Sequence, residues 1–178
     1  MNTPNMQTKT AVLFASSLIL IAALSRVFPH PPNFSPVATI ALFGGIYLKG
    51  WHRFAIPFAA MVFSDIILGY HTTIAFVYGS FALTVLLGTW LQHRNSLLNI
   101  GIATVTSSVL FFIITNFGVW ATQQVTYPPT FDGLVQCYIA AIPFFRNTLI
   151  GDLVYVGLLV GIYEFTAKKI RQFSLSGN

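Results

Sequence analysis

The sequence predicts an all-α integral membrane protein of about six transmembrane helices, with both termini in the cytoplasm. Three observations lead there. Charged residues make up only 7% of the 178 residues, against about 25% in a soluble domain whose surface must be hydrated. The hydrophobic residues, 55% of the chain at a mean hydropathy of +0.73, fall in blocks. Most blocks are long enough to cross about 30 Å of hydrocarbon, which takes about 20 helical residues. The lysines and arginines gather at one set of block ends. Most connections are short, so residues 1–178 are expected to form a single transmembrane domain with lipid as its solvent.

The first segment covers residues 10–27. Lys9, an apolar run and Ala22-Ala23-Leu24-Ser25 also resemble a signal peptide. The run is long and ends in Arg26 without a clear small-x-small site, which favours an uncleaved helix. The second segment, 34–48, carries the pair Gly44-Gly45 and is short, so it needs bilayer thinning, tilt or partial burial to span. Residues 53–70, 72–91 and 98–121 supply the third, fourth and fifth segments, and 147–167 the last. The long connection between the last two opens with Tyr127-Pro128-Pro129 and runs into residues 131–145. That stretch is too short to span and is predicted as a helix lying at the outer interface or dipping inward.

Orientation follows from the basic residues. With the N-terminus inside, Lys9, Lys49, Arg53, Arg94, Lys168, Lys169 and Arg171 are cytoplasmic, and only Arg26 and Arg146 lie outside. This is the positive-inside pattern. It also accounts for the net charge of +5 without a nucleic-acid partner. The expected location is a bacterial inner membrane.

This topology brings polar residues to one depth. Asp65 and Asp152 fall near the outer ends of the third and sixth segments, with Asn116 and Trp120 near the outer end of the fifth. Arg26, His30 and Asn33 lie in the first outer loop, His71 in the second, and Asp132, Arg146 and Asn147 at or near the third. A carboxylate within a bilayer costs several kcal/mol and needs a partner or a water-filled cavity. Arg26 and Arg146 are the basic residues at the right depth. The set predicts an outward-facing polar pocket; the competing reading is that Asp–Arg pairs merely lock helices together.

Small residues recur at helical spacing in Ala11-x-x-x-Ala15 and Gly157-x-x-x-Gly161, where close helix packing is the expected use. Gly101, Thr104, Ser108 and Thr115 form a small polar stripe expected to face the bundle. There is no paired-histidine zinc signature, serine elbow or phosphate-binding glycine loop, so no enzyme activity and no cofactor is expected. Cys137 is the single cysteine, which leaves no intramolecular disulfide.

The stretches RVFPHPPN (26–33), SDIILGYH (64–71), NFGVW (116–120) and PFFRNTLIGD (143–152) resemble a family of small bacterial membrane proteins of unknown function. That family is similar in size and helix number to the S-components of energy-coupling-factor (ECF) vitamin transporters. The second resemblance implies an S-component-like bundle that binds a vitamin or precursor from outside. It also implies docking on an energising module through an Ala-x-x-x-Ala pattern, matched by Ala11 and Ala15. Some solitary relatives of those proteins carry cobalamin, for which His71 would be the cobalt ligand and Cys137 the second choice.

The expectation is therefore a carrier whose outward pocket binds a small-molecule substrate through Arg26, Asn33, Asp65, His71, Asn116, Trp120, Arg146, Asn147 and Asp152. Its partners would be membrane lipid, the substrate and an energy-coupling module. A non-transporting scaffold and an intramembrane enzyme using Asp65, His71 or Asp152 are the rival readings.

Overall fold

The shortest and most apolar helix lies at the centre. A computed structural model describes residues 8–176, apart from the side chains of Thr8, Arg171 and residues 173–176. The Arg171 assignment therefore lies outside the described side chains. Six α-helices follow in order: α1 Thr8–Ser25, α2 Val37–Tyr47, α3 His52–Leu68, α4 Ile74–Trp90, α5 Leu97–Ala121 and α6 Phe131–Ser176. A 3₁₀ turn, Leu91–His93, ends α4, and there is no strand among the described residues. Among the described residues, three stretches are long and apolar enough to cross a membrane: Ile74–His93, Leu97–Ala121 and Phe131–Ile170.

α2 packs on each of α1, α3, α4, α5 and α6. Every residue from Val37 to Ile46 is buried, as befits a helix that is apolar on all sides. Its glycines set how closely the neighbours approach. A Cβ on Gly45 would meet the Val85 carbonyl of α4 and lie 2.8 Å from the Gly88 Cα. One on Gly88 would lie 3.0 Å from the Gly45 Cα. Backbone thus rests on backbone where α2 crosses α4. A Cβ on Gly44 would strike the Pro57 ring of α3.

Two sequence expectations are corrected. The second segment, expected over 34–48, is helical only over Val37–Tyr47, because Pro36 has no N–H to extend the helix backwards. Residues 131–145, expected as a separate outer segment, are continuous with the last helix in α6, which has Pro143 inside it. The first half of α6 is held along α5 by side chains. Tyr138 Oη donates to the Ile113 carbonyl at 2.7 Å, and the Phe112 ring packs on Tyr138 and Phe145 at 5.7 and 4.9 Å. This tertiary anchoring outweighs the one backbone hydrogen bond that Pro143 removes.

Ala15 is fully buried and Ala11 is packed against the same core. The Ala-x-x-x-Ala face of α1 thus packs at least in part against the chain's own core, with Ala11 half-buried. Gly157 and Gly161 depart from expectation: a Cβ on either meets nothing within 4 Å.

Buried hydroxyls mostly bond back to their own helix, as Thr84 does to Ser80 at 3.0 Å and Thr104 to Ile100 at 2.8 Å. Ser107 Oγ is buried without a partner among the described residues. Ser107→Ala is accordingly expected to raise stability by about 1 kcal/mol, since it removes an unmet desolvation cost. A higher melting temperature of the purified variant is the check.

Candidate functional site

The central helix is too short to fill its own sheath. α2 has 11 residues, about 16 Å of helix, whereas α3 and α4 have 17 each, about 26 Å. The C-terminal end of α2 is level with that of α4, because Gln92 Nε2 donates to the Gly45 and Leu48 carbonyls at 2.9 and 2.6 Å. The missing length therefore falls at the other end, where a cavity of about 180 Å³ opens above Val37 and Ala38. Arg26, Asn33, His71 and Asp152 line it, with Val77 and Phe111 as apolar wall and Ser35 and Thr148 as further polar lining.

Each polar group is fixed by a local device. Arg26 follows α1 and donates through Nη1 to Asp65 Oδ1 at 2.8 Å and to Ser64 Oγ. Tyr78 Oη donates to the other Asp65 oxygen at 2.9 Å. Asp65, only 2% exposed, thus has both oxygens engaged and holds the guanidinium at the cavity. Asn33 has φ +61°, a left-handed conformation that asparagine tolerates better than most residues. His71 Nδ1 is 2.9 Å from Thr73 Oγ1.

Asp152, 1% exposed, has no cationic partner among the described residues. Its carboxyl instead accepts from Ser108 Oγ at 2.7 Å and Thr39 Oγ1 at 3.2 Å. Thr39 belongs to the first turn of α2, where the first intrahelical bond runs from Ile40 N–H to the Pro36 carbonyl. No side chain caps this helix. The amides of residues 37–39 are therefore open to the cavity end, a setting that favours an anionic group.

Residues 6–173 match the model of a family of unknown function (DUF6580). The chain belongs to that family. No curated protein and no solved structure matches it.

The DUF6580 chain brings together Arg26, Asn33, His71 and Asp152, with Asp65 directly behind Arg26. Four other expected site residues lie apart from the cavity. Asn116 Nδ2 donates to the Phe112 carbonyl of its own helix at 2.8 Å. Trp120 Nε1 donates to the Pro128 carbonyl at 3.0 Å, pinning the turn before α6. Arg146 is exposed and has no ion pair among the described residues, so Asp152 meets two hydroxyls where an arginine partner was expected. Asn147 Nδ2 donates to the Pro32 carbonyl at 3.0 Å, and Phe34 packs on Gly151 and Tyr155. Asn147 therefore anchors the loop over the cavity instead of lining it.

Thr39, Ser64, Tyr78 and Ser108 were not among the expected site residues. Ser64 adjoins Asp65 and Ser108 stands in the polar stripe of α5, so both carried a sequence signal. Thr39 and Tyr78 carried none, since each meets its carboxylate only through helix packing. Among the described residues no group of three or more His, Cys, Asp or Glu side chains could hold a metal ion.

Proposed function

We propose that this protein is a multi-pass bacterial inner-membrane uptake protein that takes a small acidic molecule into an outward-facing pocket, in the manner of an ECF S-component. The observation that carries this reading is the cavity above α2, lined by Arg26, Asn33, His71 and Asp152. Those residues come from three connections or helices far apart in sequence, and they meet because the central helix stops short. Arg26 and the free amides of the first turn of α2 favour a carboxylate or phosphate. Asp152 and its hydroxyl partners suit a hydrogen-bond donor on the same substrate.

The membrane placement is supported by large apolar side chains turned outward all round the bundle, such as Leu13, Ile21, Ile66, Leu98 and Phe165, each more than 60% exposed. In water so extended an apolar surface would drive association. A cavity of about 180 Å³ is below the about 300–1,000 Å³ of drug-sized ligand sites. It favours a small vitamin precursor over cobalamin, and it gives His71 a place on a pocket wall without requiring cobalt.

The scaffold reading is favoured by one observation, the Arg26–Asp65 pair with its Ser64 and Tyr78 bonds, which is a sufficient helix lock by itself. Asp152 has no such lock, so the two readings separate there. A thermal-shift screen of the detergent-purified protein against small carboxylates, phosphates and vitamin precursors tests them. A ligand at about 100 times its Kd is expected to add about 2.7 kcal/mol of stability. That gain should vanish in Asp152→Asn and His71→Ala. Loss of stability in the unliganded variants, with no ligand shifting the parent, would assign these side chains to the scaffold.

A further inference from the structure

A second cavity, of about 310 Å³, lies between α5 and α6 toward the opposite end of the bundle. The two helices are tied near the first cavity by Ser108–Asp152 and Tyr138–Ile113 and part below it. Gly101, Gly157 and Gly161 line the gap, and a Cβ on any of them would meet nothing within 4 Å. The glycines thus widen a groove instead of permitting a helix contact. Its walls are apolar, from Ile100, Val156 and Val160, and its far end carries Asn95, Glu164 and Lys168.

The far end of the groove is polar. Asn95, 7% exposed, lines the groove and offers its amide there. The Glu164 carboxylate is engaged by Tyr47 Oη at 2.9 Å. Lys168 has no ion pair among the described residues, so its ammonium is available to an anion. From Leu153 to Lys168, both in the groove lining, α6 rises about 22 Å. One leaflet's hydrocarbon is about 15 Å deep, so the groove is long enough to take an acyl chain with its headgroup at the Lys168 end.

We propose that this groove holds an acyl chain of an anionic phospholipid from the cytoplasmic leaflet, with the phosphate at Lys168 and Asn95. The assignment rests on the membrane reading above and is independent of what the first cavity binds. The lipid would complete the packing of α5 against α6 where the glycines leave it open.

Native mass spectrometry of the full chain in detergent, with equal amounts of phosphatidylglycerol and phosphatidylcholine, tests this. The parent is expected to carry phosphatidylglycerol over phosphatidylcholine by about fivefold, the selectivity of one basic side chain at a membrane surface. Lys168→Gln should bring the two lipids level. The double variant Gly157→Leu/Gly161→Leu should lose both adducts while keeping its melting temperature, since both leucines enter open space and favour helix. Equal adducts in the parent, or unchanged adducts in the variants, would overturn the assignment. A lipid-free dimer would give the groove to a second copy and overturn it as well. Should the chain stay in solution without detergent, the membrane reading itself fails and takes the lipid with it. A chain that needs detergent but shows no selectivity removes only the groove assignment.

Discussion

Gly45→Ala is expected to lower stability by about 3 kcal/mol, the upper range for overpacking a filled interior. The added methyl would meet backbone on α4, the Val85 carbonyl and Gly88, and backbone cannot turn aside as a flexible side chain can. α2 and α4 would have to separate, and α2 also packs on α1, α3, α5 and α6, so the displacement spreads through the bundle. Gly157→Ala is the matched control, because its methyl would enter open space and alanine is the better helix former. Melting curves of the two variants in the same detergent provide the check. Equal stability for both would mean that α2 and α4 are not in backbone contact.

Arg26→Met is expected to cost about 4 kcal/mol, because it strands the Asp65 carboxylate in a buried site. Asp65 would keep the Tyr78 hydroxyl but lose its cation. Adding Asp65→Asn should restore most of that stability, since the amide oxygen can still accept from Tyr78 and no charge is left unpaired. The pair of variants also separates structure from binding. The double variant folds but lacks the guanidinium at the cavity, so an acidic ligand found in the thermal screen should no longer stabilise it. Retained binding in the double variant would show that Arg26 serves the bundle alone.

The helical class and the apolar segments were legible because both depend on local composition. The long hydrophobic runs of α4 and α5 and the glycine pair in α2 stand out in the chain itself. So did half of the site. Arg26, Asn33, His71 and Asp152 were placed at one depth by counting along helices, and they line one cavity. Asn116 and Trp120 stand eight and twelve residues beyond Ser108 on α5, about 12 and 18 Å past the level at which Ser108 meets Asp152. Arg146 and Asn147 lie nearer that level but make no contact with the cavity. Depth is one coordinate of three; the rotation of each helix about its axis sets which face meets the cavity, and periodicity is weak where every face is apolar.

Two larger features also lay beyond the sequence. Residues 131–145 follow a proline pair and contain Pro143, which reads as an interruption, yet contacts with α5 carry the helix through. The glycines of the Gly-x-x-x-Gly pattern read as a packing face, yet they border a groove. A small residue permits a close approach but does not require one, and the neighbouring helix decides.

The sequence by itself determined an all-helical chain, its apolar segments, the ends that carry its basic residues and the polar groups near one end. Those follow from composition and from the rise of a helix. Tertiary structure alone decided that the 11-residue helix is the centre of the bundle and that its missing turns become the cavity. It also decided that two hydroxyls, not an arginine, meet Asp152. Each outcome depends on which helices are neighbours and how they are rotated, and those choices are made by packing between residues far apart in the chain.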